Sequence, residues 1–337
     1  MKPILLISFL AAMSVSAQQY PLVRDHAGVW QTRPENIGYL VPPADKTTFL
    51  ASVTKVLDVL RRSPALAAPK GFDVIEYTSA RLDRLDSGSA RPQFVGGTIH
   101  LDFGCYETGP KGVFSSDHDF AGSIVIEIND LVLVGGGTVQ DGYVTFGDDQ
   151  GDFIKGAREP DDTLHGFPVY EQGNDRWIVI RKPGVPILVP VSRERYLKFR
   201  LKKAQTSIDR GEANLAKMPA NNAQLAGPIA EARELLAQVH AAVGAMNTQL
   251  AGMSAADRAA PAFVISGPDT EAPQFDTSAD NGADPILTLN PALMSAGAPR
   301  GSAQILAVSI RADDKWPDLA TTLDAQIDWT GLAAIVK

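Results

Sequence analysis

The spacing of apolar residues changes twice along the chain, and each change marks an element boundary. Phe49, Leu50, Val53, Val56, Leu57 and Leu60 recur at helical spacing. They predict a helix over Lys46–Arg62 with one wide apolar face, capped by Asp45 and ended by Pro64, Pro69 and Gly71. After Gly71 the period becomes two. Strands are expected at Phe72–Tyr77, Thr98–Phe103, Ser123–Val134 (with a turn or bulge at Asn129-Asp130), Tyr143–Phe146, Trp177–Arg181 and Val185–Val191. One helix followed by strands with no helices between them predicts an α+β fold, an antiparallel sheet packed on a helix.

From residue 192 the helical period returns with heptad regularity. Leu197, Leu201, Ala204, Ile208, Gly211, Leu215 and Met218 follow steps of four and three. After Pro219–Asn222, the series Leu225, Ile229, Ala232, Leu236, Val239, Val243, Met246, Leu250 and Met253 repeats them. Two such segments with a short connection predict an antiparallel, coiled-coil-like helical hairpin inserted in the α+β body. Ser192 is the expected N-cap and Pro228 the expected first residue of the second helix. Each helix of ~25 residues would be about 37 Å long.

Beyond it, residues 254–285 read as a loop with a short strand at Ala262–Ile265. Strands follow at Ile286–Leu289 and Ile305–Ile310, then a helix at Leu319–Ile327 and an apolar tail, Trp329–Val336. These strands are too few for a sheet of their own and are expected to complete the N-terminal one. The division expected is a leader at 1–17, an α+β body at 18–191, the hairpin at 192–253, and 254–337 completing the body.

Composition narrows the classes. The chain has 337 residues, 45% hydrophobic and 21% charged, which excludes wholesale disorder, a collagen-like fibre and a multi-span membrane protein. Lys2, the apolar run Ile4–Val15 and the small residues Val15-Ser16-Ala17 read as a secretory signal cleaved before Gln18. The run is shorter than the ~20 residues that span a bilayer. An exported protein, periplasmic or extracellular, is therefore expected, with no transmembrane anchor once the leader is removed. The net charge of −8 argues against nucleic acid as a partner. A single cysteine, Cys105, forms no intramolecular bridge, and its alternating strand context reads as a buried small hydrophobe.

Four stretches could carry chemistry. Ser52-Val53-Thr54-Lys55 resembles the Ser-x-x-Lys box of serine β-lactamases and penicillin-binding proteins, in which the lysine helps accept the serine proton. The resemblance covers about eight residues, and Ser116-Asp117-His118 and Lys182-Pro183-Gly184 depart from those families' later boxes. Asp148, Asp149 and Asp152 lie in an acidic, Gly-containing run (Asp141–Asp162) that could wrap Ca²⁺, although the spacing matches no EF-hand. Asp117-His118-Asp119, with His165, could join a metal-assisted hydrolytic site. The hairpin's outer face, with Arg193, Arg195, Lys198, Arg200, Lys202 and Lys203 on one helix and Glu231 and Glu234 on the other, reads as a solvated surface or a docking arm.

Three further segments are similar to parts of uncharacterised exported bacterial proteins: Pro69–Val74, Pro190–Leu197, and Asn290–Leu293 with Pro299–Gln304. The resemblance implies a shared architecture and carries no activity, cofactor or residue role. The favoured expectation is an exported, non-enzymatic binding or structural protein with no cofactor, engaging a protein or an envelope component. The alternative is an exported metal-assisted hydrolase using residues 117–119 and 148–165.

Overall fold

A computed structural model of the protein describes residues 20–82, 93–130, 153–155, 160–172, 175–219, 225–265, 270–277, 282–293, 295 and 297–336. The leader and the strand expected at Tyr143–Phe146 lie outside them. Among the described residues the fold is mixed α+β, with nine strands in one sheet and five in another.

The large sheet runs, in order across it, β1 (Trp30–Thr32), β3 (Phe72–Leu82), β4 (Val95–Gly109), β5 (Gly112–Ile128), β14 (Leu306–Ala312), β9 (Asp175–Ile180), β8 (Phe167–Gln172) and β7 (Asp162–Leu164). Its centre is β3, β4, β5 and β14, joined antiparallel. β9, β8 and β7 continue it beyond β14. The alternation in sequence becomes two faces. On the inner face Val74, Ile99, Leu101, Phe103, Ile124, Ile126, Leu306 and Val308 meet α1 (Pro43–Leu60), α2 (Pro64–Ala67), α6 (Asp318–Gln326) and α7 (Trp329–Ala333) in one core. Helix α1 closes on two glycines: a Cβ at Gly97 would fall 2.6 Å from the Phe49 ring, and one at Gly301 2.3 Å from the Asp45 carbonyl oxygen.

Several expectations are corrected here. Helix α1 starts at Pro43, with Asp45 in its first turn and not at the cap. Pro suits the first helical position because its φ is preset and its missing N–H would have had no partner there. Asp45 instead pairs with Arg300 Nε at 3.2 Å. The lead-in contributes β1 (Trp30–Thr32) and β2 (Asn36–Ile37), which run parallel to β3, so the sheet is not purely antiparallel. Buried Asp73 fastens β1: its carboxylate accepts from Val29 N, Gln31 Nε2 and the Tyr106 hydroxyl, the last at 2.6 Å. Burial, with this carboxylate adding to it, pushes the Tyr106 phenol up to about 12. Of the C-terminal strands, β14 enters the large sheet between β5 and β9. The others do not: β11 (Phe263–Ile265), β12 (Gln274–Asp276) and β13 (Asp284–Leu289) build the second sheet with β6 (Phe153–Lys155) and β10 (Leu188–Pro190).

Helix α3 (Arg193–Lys217) leaves that second sheet with Ser192 Oγ accepting from Arg195 N. Tyr196 packs among Val191, Ala262, Val264 and Ile286. Helix α4 (Ala226–Gly252) begins two residues before Pro228. It meets α3 through Leu197, Ala204, Ala242 and Met246, which are buried, with Leu201, Val239, Val243 and Leu250 packed around them. Farther along α3, Gly211 touches the Leu236 side chain, and Glu212 lies 3.4 Å from His240 Nε2.

Candidate functional site

The residues singled out for metal chemistry fall in different places. Asp148, Asp149 and Asp152 lie outside the described residues. Asp117, His118 and Asp119 are not in a loop, as expected, but on strand β5. The pairing steps from Gly104↔Phe120 to Tyr106↔Ser115, so residues 116–119 stand opposite Cys105 alone and form an irregular step in the ladder. A bulge that large relieves a length mismatch between paired strands. Among the described residues, no group of three or more His, Cys, Asp or Glu side chains is placed to hold a metal ion.

Ser52 does not present a nucleophile. The residue is 7% exposed, and its hydroxyl is within reach of the Thr48 and Gly301 carbonyl oxygens at 3.2 and 3.1 Å and accepts from Ala303 N at 3.2 Å. Lys55 is exposed. The serine stitches α1 to the segment entering β14. Cys105 is fully buried in the core. His165 occupies a two-residue turn between β7 and β8 with φ 53°, followed by Gly166 at φ 83°. Its ring stacks on Trp329 at 4.8 Å and its Nε2 meets Asp324 Oδ1 at 3.0 Å, which ties this hairpin to α6 and α7.

The outer face of the large sheet brings together groups that were not singled out. Cross-strand register places Tyr77, His100, Val125 and Ser309 in one row across β3, β4, β5 and β14. Thr98, Glu127 and Ala307 form the adjacent row, and Asp102, Ser123 and Arg311 the next. His100 Nε2 lies 2.9 Å from Asp102 Oδ1, at 42% and 23% side-chain exposure. Thr98 Oγ1 donates to Glu127 Oε2 at 2.8 Å. Burial pushes the Glu127 carboxyl up to about 8, and the charge of Asp130 adds to the rise; the Thr98 bond and Arg81 oppose it. An imidazole held by a carboxylate can accept a proton, and a carboxylic acid still protonated near neutrality can give one. On the same face Ser309 Oγ and the Trp177 indole N–H are buried and find no hydrogen-bond partner among the described residues. The sequence signal was the polar half of Thr98-Ile99-His100-Leu101-Asp102, which alternation alone assigns to solvent.

The expected solvated face of α3 divides. Arg193 donates to the Asp276 carbonyl oxygen, and its guanidinium lies 5.5 Å from the Phe275 ring centre. Arg195 lies over Phe153 at 4.9 Å, and Arg200 is buried with bonds to the Tyr196 hydroxyl and the Glu271 carbonyl oxygen. Arg193 and Arg195 face the second sheet, their flat guanidinium groups lying over its Phe275 and Phe153 rings, whereas Arg200 is held by its hydrogen bonds. Lys198, 62% exposed and 2.8 Å from Glu194, remains on the solvent side, as do Lys202, Glu231 and Glu234, with Lys203 half-buried. Past Ile208, no described residue of α3 is fully buried, and on α4 only Ala242 and Met246 are. Both helices nevertheless continue for several turns, leaving Met218 and Leu235 exposed. Among the described residues no helix is long and apolar enough to cross a membrane.

No family model, curated protein or solved structure matches the chain.

Proposed function

We propose that the protein is an exported, non-enzymatic binding protein of the cell envelope, and that α3 and α4 form an antiparallel hairpin serving as its docking arm. On this reading residues 1–17 are a leader cleaved before Gln18, and 192–253 are inserted into a body made by the flanking segments. The observation that carries it is the thinning of burial along the two helices. Two helices alone bury one seam, so the rest of a projecting pair is surface available to a partner. Exposed Leu235, 54% accessible and flanked by Glu231 and Glu234, is the natural contact point for a protein or another envelope component.

A photoreactive residue at Leu235 in the exported protein is expected to give one discrete cross-linked adduct, with none from a residue at Tyr39, which is exposed on the body. The same adduct from both positions, or none from Leu235, rejects the arm as the docking element.

A second reading, a hydrolase built on other residues than the metal-assisted one expected at 117–119 and 148–165, has one observation in its favour, the His100–Asp102 pair with Glu127 in the adjacent row. Water attack on an ester or amide would use His100 as base, with Asp102 holding the ring. Its signature would be hydrolysis of model esters that falls at least about 100-fold in His100→Asn while the melting temperature holds. Wild-type protein without such turnover removes this reading.

A further inference from the structure

The β4–β5 hairpin outruns the rest of its sheet. β14 stops pairing at Ala312↔Gly122 and β3 at Phe72↔Cys105, yet β4 and β5 continue to Gly109↔Gly112. Residues 115–119 give the β5 side of this extension a polar sequence, but the chain places exposed apolar residues at its outer end. Val113 is 45% exposed and Phe114 40%, and since neighbours on a strand point to opposite faces, each face of the tip carries an exposed apolar residue, Val113 beside Thr108 and Phe114 beside Glu107. Phe120, nearer the sheet, is 38% exposed. The Phe114 ring lies against the bare backbone of Gly109, where a Cβ would meet it at 2.7 Å, and it takes Tyr20 edge-on at 5.6 Å between ring centres. Exposed Lys111 sits in the turn. An aromatic and aliphatic tip with a tyrosine and a lysine at its margin has the composition of a segment that enters a bilayer interface.

The lead-in says what this tip faces. Thr108 N donates to the Pro21 carbonyl oxygen at 2.9 Å, and Leu22 bridges to Glu107, so the chain enters the fold along the hairpin tip. The apolar run Ile4–Val15 ends five residues before Tyr20, at most about 17 Å of extended chain. While that run is in a membrane, the tip is held at the same surface.

We propose that the β4–β5 tip, with Tyr20, Val113 and Phe114, is a lipid-contact element that inserts into the interface of the membrane across which the chain is exported. It keeps contact with that surface after the leader is removed. The element rests on the export reading and its leader, but it is separate from the α3–α4 arm and stands or falls without it.

The test uses the chain from Gln18 onward, which contains every described residue, and vesicles of phosphatidylethanolamine and phosphatidylglycerol. Co-sedimentation is expected for this chain, with a loss of about tenfold or more in partitioning for the double variant Val113→Ser/Phe114→Ser. Leu235→Ser on the arm is expected to partition as the parent does. Should the double variant fold poorly by near-ultraviolet circular dichroism, Phe114→Trp serves instead, and brominated lipid is expected to quench its added fluorescence. Absence of vesicle binding, an equal loss in Leu235→Ser, added fluorescence in Phe114→Trp that brominated lipid leaves unquenched, or a dimer that the double variant disperses without any lipid effect would each overturn the proposal.

Discussion

Asn129→Ala is expected to lower the free energy of unfolding by roughly 3–4 kcal/mol, read as a fall in denaturant midpoint at unchanged slope. Asn129 directly follows β5 with φ 56° and is 2% exposed. Its amide nitrogen donates to the Val95 and Ser302 carbonyl oxygens at 3.0 and 2.9 Å, and its Oδ1 accepts from Gln304 N at 2.7 Å and Ile305 N at 3.4 Å. One side chain thereby joins the start of β4, the end of β5 and the segment feeding β14. Alanine leaves those backbone groups unpaired away from water, each costing on the order of 1 kcal/mol or more. Alanine also tolerates the left-handed region less well than asparagine, at a further cost of up to ~1 kcal/mol. Asn129→Gly removes only the second cost, so it should recover up to about 1 kcal/mol of the loss. An alanine variant within about 1 kcal/mol of the parent would mean that β14 is held in the sheet by its ladders alone.

That knot shows why parts of the fold were legible and others were not. The helical face of α1 could be read because Phe49, Val53, Val56 and Leu60 repeat over several turns and each is buried. In α3 and α4 the residues spaced at four and three, from Leu197 to Leu215 and from Leu225 to Met253, are the ones turned from water. Strands β6 and β12 have three residues each, too short for a period to declare itself. Although β10 and β11 fall within expected strands and β13 overlaps one, nothing in their local pattern shows that they pair into a sheet of their own. β14 was readable as a strand, but its place between β5 and β9 depends on contacts across well over a hundred residues. Asn129 looked like a turn residue; that its side chain spans three segments is a property of the assembled sheet.

The candidate groups follow the same logic. His100 and Asp102 lie on the polar side of an alternating strand, where solvent is the ordinary neighbour. Nothing in a single strand shows that β5 brings Glu127 beside Thr98. Conversely, Arg193, Arg195 and Arg200 looked like solvent charges because helical spacing reveals neither the rings that β12 and β6 supply to the first two nor the Glu271 carbonyl that receives the third. Ser52 and Lys55 had the right helical offset for a nucleophile and its base, but Gly301 and Ala303 occupy the serine from a segment remote in sequence.

Glu127 yields the second large effect, on stability against pH. The folded protein holds a proton on Glu127 up to about pH 8, whereas the ordinary carboxyl releases it near 4.5. Between those values the folded state binds more protons than the unfolded chain, so unfolding free energy falls as pH rises through this window. Below it the group contributes no pH dependence; above it the buried carboxylate faces Asp130, with the Thr98 hydroxyl and Arg81 as its only opposing influences among those acting on it. Arg81 is itself engaged with Asp130 at 2.6 Å, which limits the relief it offers. The linked loss is on the order of 3 kcal/mol, reduced from the full proton linkage because the side chain is only half-buried. Glu127→Gln keeps the shape and an oxygen for the Thr98 hydroxyl but has no proton to release. It is therefore expected to melt with the parent near pH 5 and several degrees above it near pH 9. Melting curves across that range decide the matter: parallel pH profiles for the two proteins would show that Glu127 ionises as it does in the unfolded chain. The outer face of the sheet would then carry a carboxylate at neutral pH, and no acid for the hydrolase reading.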